Sequence, residues 1–261
     1  MGLSNIDPDE LMRPAVAVRI DGRDKASTLP LQSYRRAQLI LTLHGFVSCA
    51  APRGLWIIPP RCGMWIPANT PRTARISADG AICLLFVDPG LVKLPEVCCT
   101  LKVSQLLREI VQRLAELSPH YESDGPAGRL VGVLLDELSQ APTKQLHLPM
   151  SNDARLRRIA EALLSNPSDR GTMAVWAKRV AVSERTLARL ILTETGMTFG
   201  RWRQQFHVLT ALQRLSAGRP VQGVAEDLGY DSVSAFITMF KKTIGKSPGR
   251  YFAEHGEMLQ A

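Results

Sequence analysis

Apolar positions follow two different rhythms along this chain. Between residues 31 and 89 they come in short runs, at 37–43, 54–58, 64–66 and 81–87. Pro52, Pro59, Pro60, Pro67, Pro71 and Gly80 break the runs apart. Short apolar segments closely spaced by turn formers predict a small β-barrel or sandwich. Beyond residue 104 the rhythm becomes helical. Leu106, Leu107, Ile110, Val111 and Leu114 share one face of a helix predicted over 104–117, with Ser104 as its cap. Leu130, Val131, Leu134, Leu135 and Leu138 do the same over 127–140. Both faces are wide enough to pack on the barrel and to form a dimer interface.

Residues 1–30 have no clear period and contain Pro8, Pro14 and Pro30, so they read as a partly extended arm. Residues 141–151 carry Pro142 and Pro149 and read as a linker. From residue 152 to 254 the chain reads as all helix. Leu156, Ile159, Ala160 and Leu163 stripe a first helix over 153–164, and a long one over 199–217 carries Trp202, Phe206, Leu209, Leu212 and Leu215. The predicted fold class is α+β: an arm (1–30), a barrel with two helices (31–140), a linker (141–151) and an all-α domain (152–254).

That helical part repeats one grammar. A short apolar helix containing Ala174, Ala177 and Val180 leads into a turn, a capping Ser183 and an amphipathic helix with Leu187, Leu190 and Ile191 inward. Later, Val224, Ala225 and Leu228 lead through Gly229 to Ser232 and a helix with Phe236, Met239 and Phe240 inward. Each is a helix-turn-helix, whose second helix enters a major groove with its N-terminal residues at the base edges. In the first unit the outward residues are Arg185, Ala188 and Arg189. The two arginines lie one turn apart, and an arginine there can donate twice to guanine. In the second unit Val233, Ser234, Ile237 and Thr238 face outward, with Lys241 and Lys242 placed for phosphates. Such a face suits thymine methyls and phosphates and offers no bidentate donor. About sixteen residues of intervening helix span about 24 Å. With the turns at each end, that can hold two recognition helices roughly one duplex turn, about 34 Å, apart.

Charge supports this division. The net charge is +8. Residues 1–150 hold 16 Lys and Arg against 14 Asp and Glu, while residues 151–261 hold 16 against 10, so the excess lies with the paired motif, as phosphate neutralisation requires. Cys49, Cys62, Cys83, Cys98 and Cys99 are odd in number and include no CxxC, which points to buried structural thiols, with a redox pair at Cys98 and Cys99 as the alternative. No leader pattern and no apolar run of about 18 residues stands out, so a cytosolic, membrane-free protein is expected.

Residues 153–252 resemble the AraC/XylS DNA-binding domain. The resemblance rests on Ser183-Glu-Arg-Thr-Leu-Ala-Arg, Thr195-Gly-Met-Thr-Phe, Ala225-Glu-Asp-Leu-Gly-Tyr-Asp-Ser-Val-Ser-Ala-Phe, Phe240-Lys-Lys and Gly245-Lys-Ser-Pro-Gly-Arg-Tyr. It implies base contacts from Arg185, Ala188, Arg189, Val233, Ser234, Ile237 and Thr238, and phosphate contacts from Lys241 and Lys242. Residues 54–72, Gly54-Leu-Trp-Ile-Ile-Pro-Pro-Arg-Cys-Gly-Met-Trp-Ile-Pro-Ala-Asn-Thr-Pro-Arg, resemble the cupin-type sensor domain of some of these regulators, with Arg72 where many have a histidine. The function implied is a DNA-binding transcription regulator, activator or repressor, responsive to a small organic effector.

Its expected partners are double-stranded promoter or operator DNA, the effector, a second copy of the chain and RNA polymerase. Candidate effector residues are His44, Trp56, Arg61, Trp65 and Arg72. An Arg72 directed into the barrel would favour an anionic or planar ligand. Metal-binding cupins need several histidines, and this barrel region has only His44, so neither metal nor cofactor is expected. A cupin-type enzyme with a helical appendage is the contrasting reading, weakened by the same ligand count and by the lack of a P-loop, GxGxxG or Ser/His/Asp set. A nucleoid-like architectural binder is a third.

Overall fold

The computed structural model describes residues 7–22, 27–52, 54–58, 62–78, 80–91, 93–144 and 147–253. Two compact units divide the chain: Met1–Pro52 with Trp56–Leu146, and Arg53–Leu55 with His147–Ala261.

The first unit is built on antiparallel strands. One sheet takes the order β1 (Ala15–Asp21), β8 (Ala81–Val87), β3 (Ala37–His44), β6 (Cys62–Ile66), β9 (Cys99–Lys102) and β10 (Thr143–Lys144). A second contains β5 (Gly54–Ile58), β4 (Val47–Ala51), β7 (Arg72–Ile76) and β2 (Ser27–Gln32) in that order. The sheets face one another: Thr42 on β3 donates its hydroxyl proton to the Ile58 carbonyl on β5 at 2.7 Å, and Arg72 on β7 reaches Gln38 on β3.

The other face of the larger sheet is covered by α1 (Gln105–Glu116) and α2 (Pro126–Ser139). Leu107, Ile110, Val111, Leu114, Val131, Leu134 and Leu138 form one core there with Leu39, Leu41, Leu85 and Leu101. Ser104 caps α1, accepting from the Leu107 amide at 3.0 Å, because its hydroxyl replaces a helical carbonyl partner. Arg108 ties α1 to the end of β3 through the Thr42 and Leu43 carbonyls.

Two boundaries differ from the sequence reading. Residues 15–21 and 27–30, expected in an arm, belong to β1 and β2; β1 pairs along its whole length with β8 and presents Ala15 and Ala17 to the helix-side core. Its Ala-Val-Ala-Val sequence is buried on both faces, so it shows no alternation to be read. Residues 141–151, expected as a linker, contain β10, paired with β9, and β11 (His147–Pro149). Strands of two and three residues are too short to show a period.

The second unit is helical: α3 (Ala154–Ser165), α4 (Met173–Arg179), α5 (Glu184–Thr195), α6 (Phe199–Ser216), α7 (Val221–Asp227), α8 (Val233–Ile244) and α9 (Pro248–Ala253). The long α6 buries Phe199, Trp202, Phe206, Val208, Leu209, Ala211, Leu212 and Leu215, so it is the shared spine of both halves. Trp202 donates its indole N–H to the Pro149 carbonyl at 3.0 Å and meets Phe206 edge-on.

Candidate nucleic-acid interface

In the first helix-turn-helix, α4 and α5 are joined by the turn Val180-Ala-Val-Ser183. Thr172 caps α4 and Ser183 caps α5, the latter accepting from the Thr186 amide at 3.1 Å. Trp176, Leu187 and Ile191 are buried. Arg185, Ala188 and Arg189 are exposed on α5, and among the described residues neither arginine has a hydrogen-bond or ion-pair partner. Their guanidinium groups are therefore available to a ligand. The turn needs a left-handed residue, and Ala181 supplies it at φ 56°.

The second unit pairs α7 with α8 through Gly229, at φ 74°, and Ser232 accepts from the Ala235 amide at 3.1 Å. Phe236, Met239 and Phe240 pack with Val224, Ala225, Leu228, Tyr251 and Phe252. Ser234, Thr238, Lys241 and Lys242 are exposed. Val233 and Ile237 depart from the outward placement expected of them. Both are half-buried against that core, because each lies three residues before a buried phenylalanine, Phe236 or Phe240, and so borders the apolar stripe. Thr238 also spends its hydroxyl proton on the Ser234 carbonyl at 2.8 Å, leaving its oxygen as an acceptor.

Four residues escaped the sequence reading. Ala235 stands exposed on the first turn of α8, and Leu192, 55% exposed, extends the Arg185–Arg189 face of α5 by one turn. A helical wheel carried to the ends of both helices would have found them. Arg170, in the loop before α4, reaches across to the second unit, where it donates to the Gly229 carbonyl and pairs with Asp231 at 3.0 Å. Arg203 on α6 donates to Gly171 of the same loop at 3.2 Å. No local pattern announces such contacts.

His207 on α6 shares a hydrogen bond of 2.9 Å with the Tyr230 hydroxyl in the second turn. Burial, helped by the nearby Arg203 charge, lowers its pKa to about 4, so the ring is neutral at neutral pH. Asp153, the cap of α3, falls to about 2 because Arg155 donates to it. Asp227 gathers Arg214 at 2.7 Å and Arg219 at 3.2 Å beside an open cleft of about 500 Å³.

The effector candidates of the first unit do not assemble as a set. Arg72 is buried between the sheets, and Trp56 is buried on β5. Trp65 instead lies on the helix side of its sheet, in the core with α1 and α2, its indole donating to the Pro95 carbonyl at 3.1 Å. Strand alternation puts it opposite Met64 and Ile66. His44 is exposed at the irregular end of β3. Arg61 lies outside the described residues. No three His, Cys, Asp or Glu side chains gather as a metal site among the described residues. None of the five cysteines is in a disulfide. Burial pushes the Cys98 and Cys99 thiols up to about 11, which keeps them protonated and unreactive at neutral pH. No helix among the described residues is long and apolar enough to cross a membrane.

Two Ser-capped helix-turn-helix units on one helical spine define a DNA-binding regulator, and comparison with known proteins agrees. Residues 176–254 match a family model described as a helix-turn-helix domain. The HTH-type transcriptional regulator NimR of Escherichia coli (strain K12) is 43% identical over 253 residues, covering 97% of this chain and 93% of that protein. The arabinose operon regulatory protein of the same organism is 28% identical over 139 residues, 51% of this chain and 47% of that protein. The HTH-type transcriptional regulator RipA of Corynebacterium glutamicum is 30% identical over 103 residues, 40% of this chain and 31% of that protein. The chain belongs to the AraC family of helix-turn-helix transcriptional regulators.

Proposed function

We propose that this regulator reads two successive major grooves with α5 and α8 of one chain, under the control of a small organic effector held between the sheets of the first unit. The observation that carries the DNA part is the exposed, unpaired Arg185–Arg189 face at the N-terminal end of α5, backed by an equally capped α8. Arg185, Ala188 and Arg189 act as the main base readers. Ser234 and Thr238 contact bases with less discrimination, Val233 and Ile237 add apolar contact at the edge of the core, and Lys241 and Lys242 hold phosphates.

The outer faces of α1 and α2 join two copies, consistent with the exposed Leu106 and Val133 found there. RNA polymerase is the further partner through which DNA binding becomes regulation. Footprinting on DNA flanking the gene, with and without a panel of small molecules, tests the whole reading. A discrete protected site whose pattern responds to one compound is expected. Protection without sequence preference would instead favour an architectural binder.

A further inference from the structure

Arg72 is 1% exposed, and among the described residues no carboxylate is paired with it. Its Nε donates to Gln38 Oε1 at 2.9 Å and its Nη1 to Gln32 Oε1 at 3.2 Å, and the Tyr34 hydroxyl also interacts with it, so its partners are neutral amides and a phenol. Gln32 is its register neighbour on β2, while Gln38, 2% exposed, reaches over from β3 of the facing sheet. The Tyr34 ring lies 5.6 Å from the guanidinium carbon. Among the described residues, no carboxylate is among the groups acting on Arg72.

Two buried atoms of this cluster make no hydrogen bond among the described residues: Arg72 Nη2 and Gln38 Nε2. Both are donors, and they belong to two side chains already bonded to each other. Turning the Gln38 amide over would not relieve them, because the Arg72 Nε–H would then lose its acceptor. A buried cation beside a second idle donor is costly unless an acceptor arrives.

We infer that Arg72 and Gln38 form the anchor for a planar oxyanion, a carboxylate or a group of like shape, which accepts from Arg72 Nη2 and Gln38 Nε2 together. The proposal rests on the effector reading given above and adds the chemistry of the ligand: an acceptor-only anionic end, with the rest of the molecule lying against the apolar walls between the sheets. Gln32 and Tyr34 are positioning residues that hold the guanidinium.

The test uses the full-length protein and small probes that need little room. Formate, acetate, nitrate, benzoate and hexanoate are titrated at constant ionic strength by calorimetry and by melting temperature. Formamide, acetamide, benzamide and hexanamide serve as neutral counterparts. At least one oxyanion should bind saturably and raise the melting temperature, while its amide does not. Arg72→Met should weaken that binding by at least about tenfold, the loss expected for one charge-assisted hydrogen bond.

Gln38→Leu leaves the arginine in place and should weaken binding less. It keeps the proposal open to refutation should Arg72→Met not fold. Equal binding by wild type and both folded variants would overturn the assignment, as would amides binding as well as anions, or no response to any oxyanion. If a neutral compound alters the footprint while no oxyanion binds, the sensor reading stands and the anion anchor falls. If no compound binds or alters the footprint, both fall.

Discussion

The two helix-turn-helix units share a plan and differ in the faces they expose. Each has a short helix, a left-handed turn residue and a serine that caps the recognition helix. They differ in what fills each place. The first shows two unpaired arginines to solvent, and the second shows Ser234, Ala235 and Thr238. Behind α8 stands a chain of aromatic contacts running through Tyr230, Phe236, Phe240, Tyr251 and Phe252. The duplicated frame conserves backbone geometry, which capping and turn chemistry fix locally, and leaves the exposed face free to specialise.

The largest test of this difference is aimed at the aromatic stack. Phe240→Ala should cost about 3–5 kcal/mol of stability, read by urea unfolding, since it empties a fully buried site. A loss below about 1 kcal/mol would mean that the stack is not what supports α8.

Next is the joint between the units. His207 binds a proton in the unfolded chain below about 6.5 but only near 4 when folded. Its contribution is therefore intact at neutral pH and lost as pH falls from about 6.5 to about 4, by at most about 1.4 kcal/mol per pH unit. A His207→Gln variant should lose that slope. An unchanged pH profile would place the proton elsewhere.

On the DNA side, Arg189→Ala should cost about 1–3 kcal/mol of specific binding and relax the preference at one base pair. Lys242→Ala should weaken all sequences alike and lower the salt dependence by about one charge. If both variants behave as Lys242→Ala is expected to, Arg189 is a phosphate contact, and the contrast between the units disappears.

The smallest effects, opposite in sign, belong to the turns. Gly229→Ala places a Cβ 3.1 Å from the Ser168 carbonyl in a left-handed residue and should destabilise by about 1–2 kcal/mol. Ala181→Gly should stabilise by about 0.5–1 kcal/mol, because alanine already bears that strain in the first turn. Thermal melts of both variants decide the matter.

What was legible in the sequence was whatever is local. Ser104, Ser183 and Ser232 stand one residue before their helices, and each caps as the spacing implies. The stripe on α6 is long enough to read without error. The strands were harder. Residues 37–43, 54–58, 64–66 and 81–87 stood out as apolar runs, and all lie within strands. The strand β7 did not, because Arg-Thr-Ala-Arg-Ile buries its first arginine and exposes the second, so polarity gives no alternation. The role of Gln38 was equally hidden: its place beside Arg72 depends on two sheets meeting, which neither strand encodes alone. The same holds for Arg170, whose partners lie about sixty residues further along the chain.

Arg170 carries a mechanical consequence. By holding Gly229 and Asp231 from the loop before α4, it ties the entrance of one reading head to the turn of the other. Under the proposed two-groove reading, heads tied in this way would meet DNA as the two jaws of a caliper. One base pair inserted between the two contacted grooves would turn the far groove by about 35° and put it out of phase. Either the duplex twists to recover the phase, or one jaw lets go. Arg170→Ala would remove this exposed tie while the buried spine of α6 still joins the heads, so operators of the wrong length would become only slightly better tolerated.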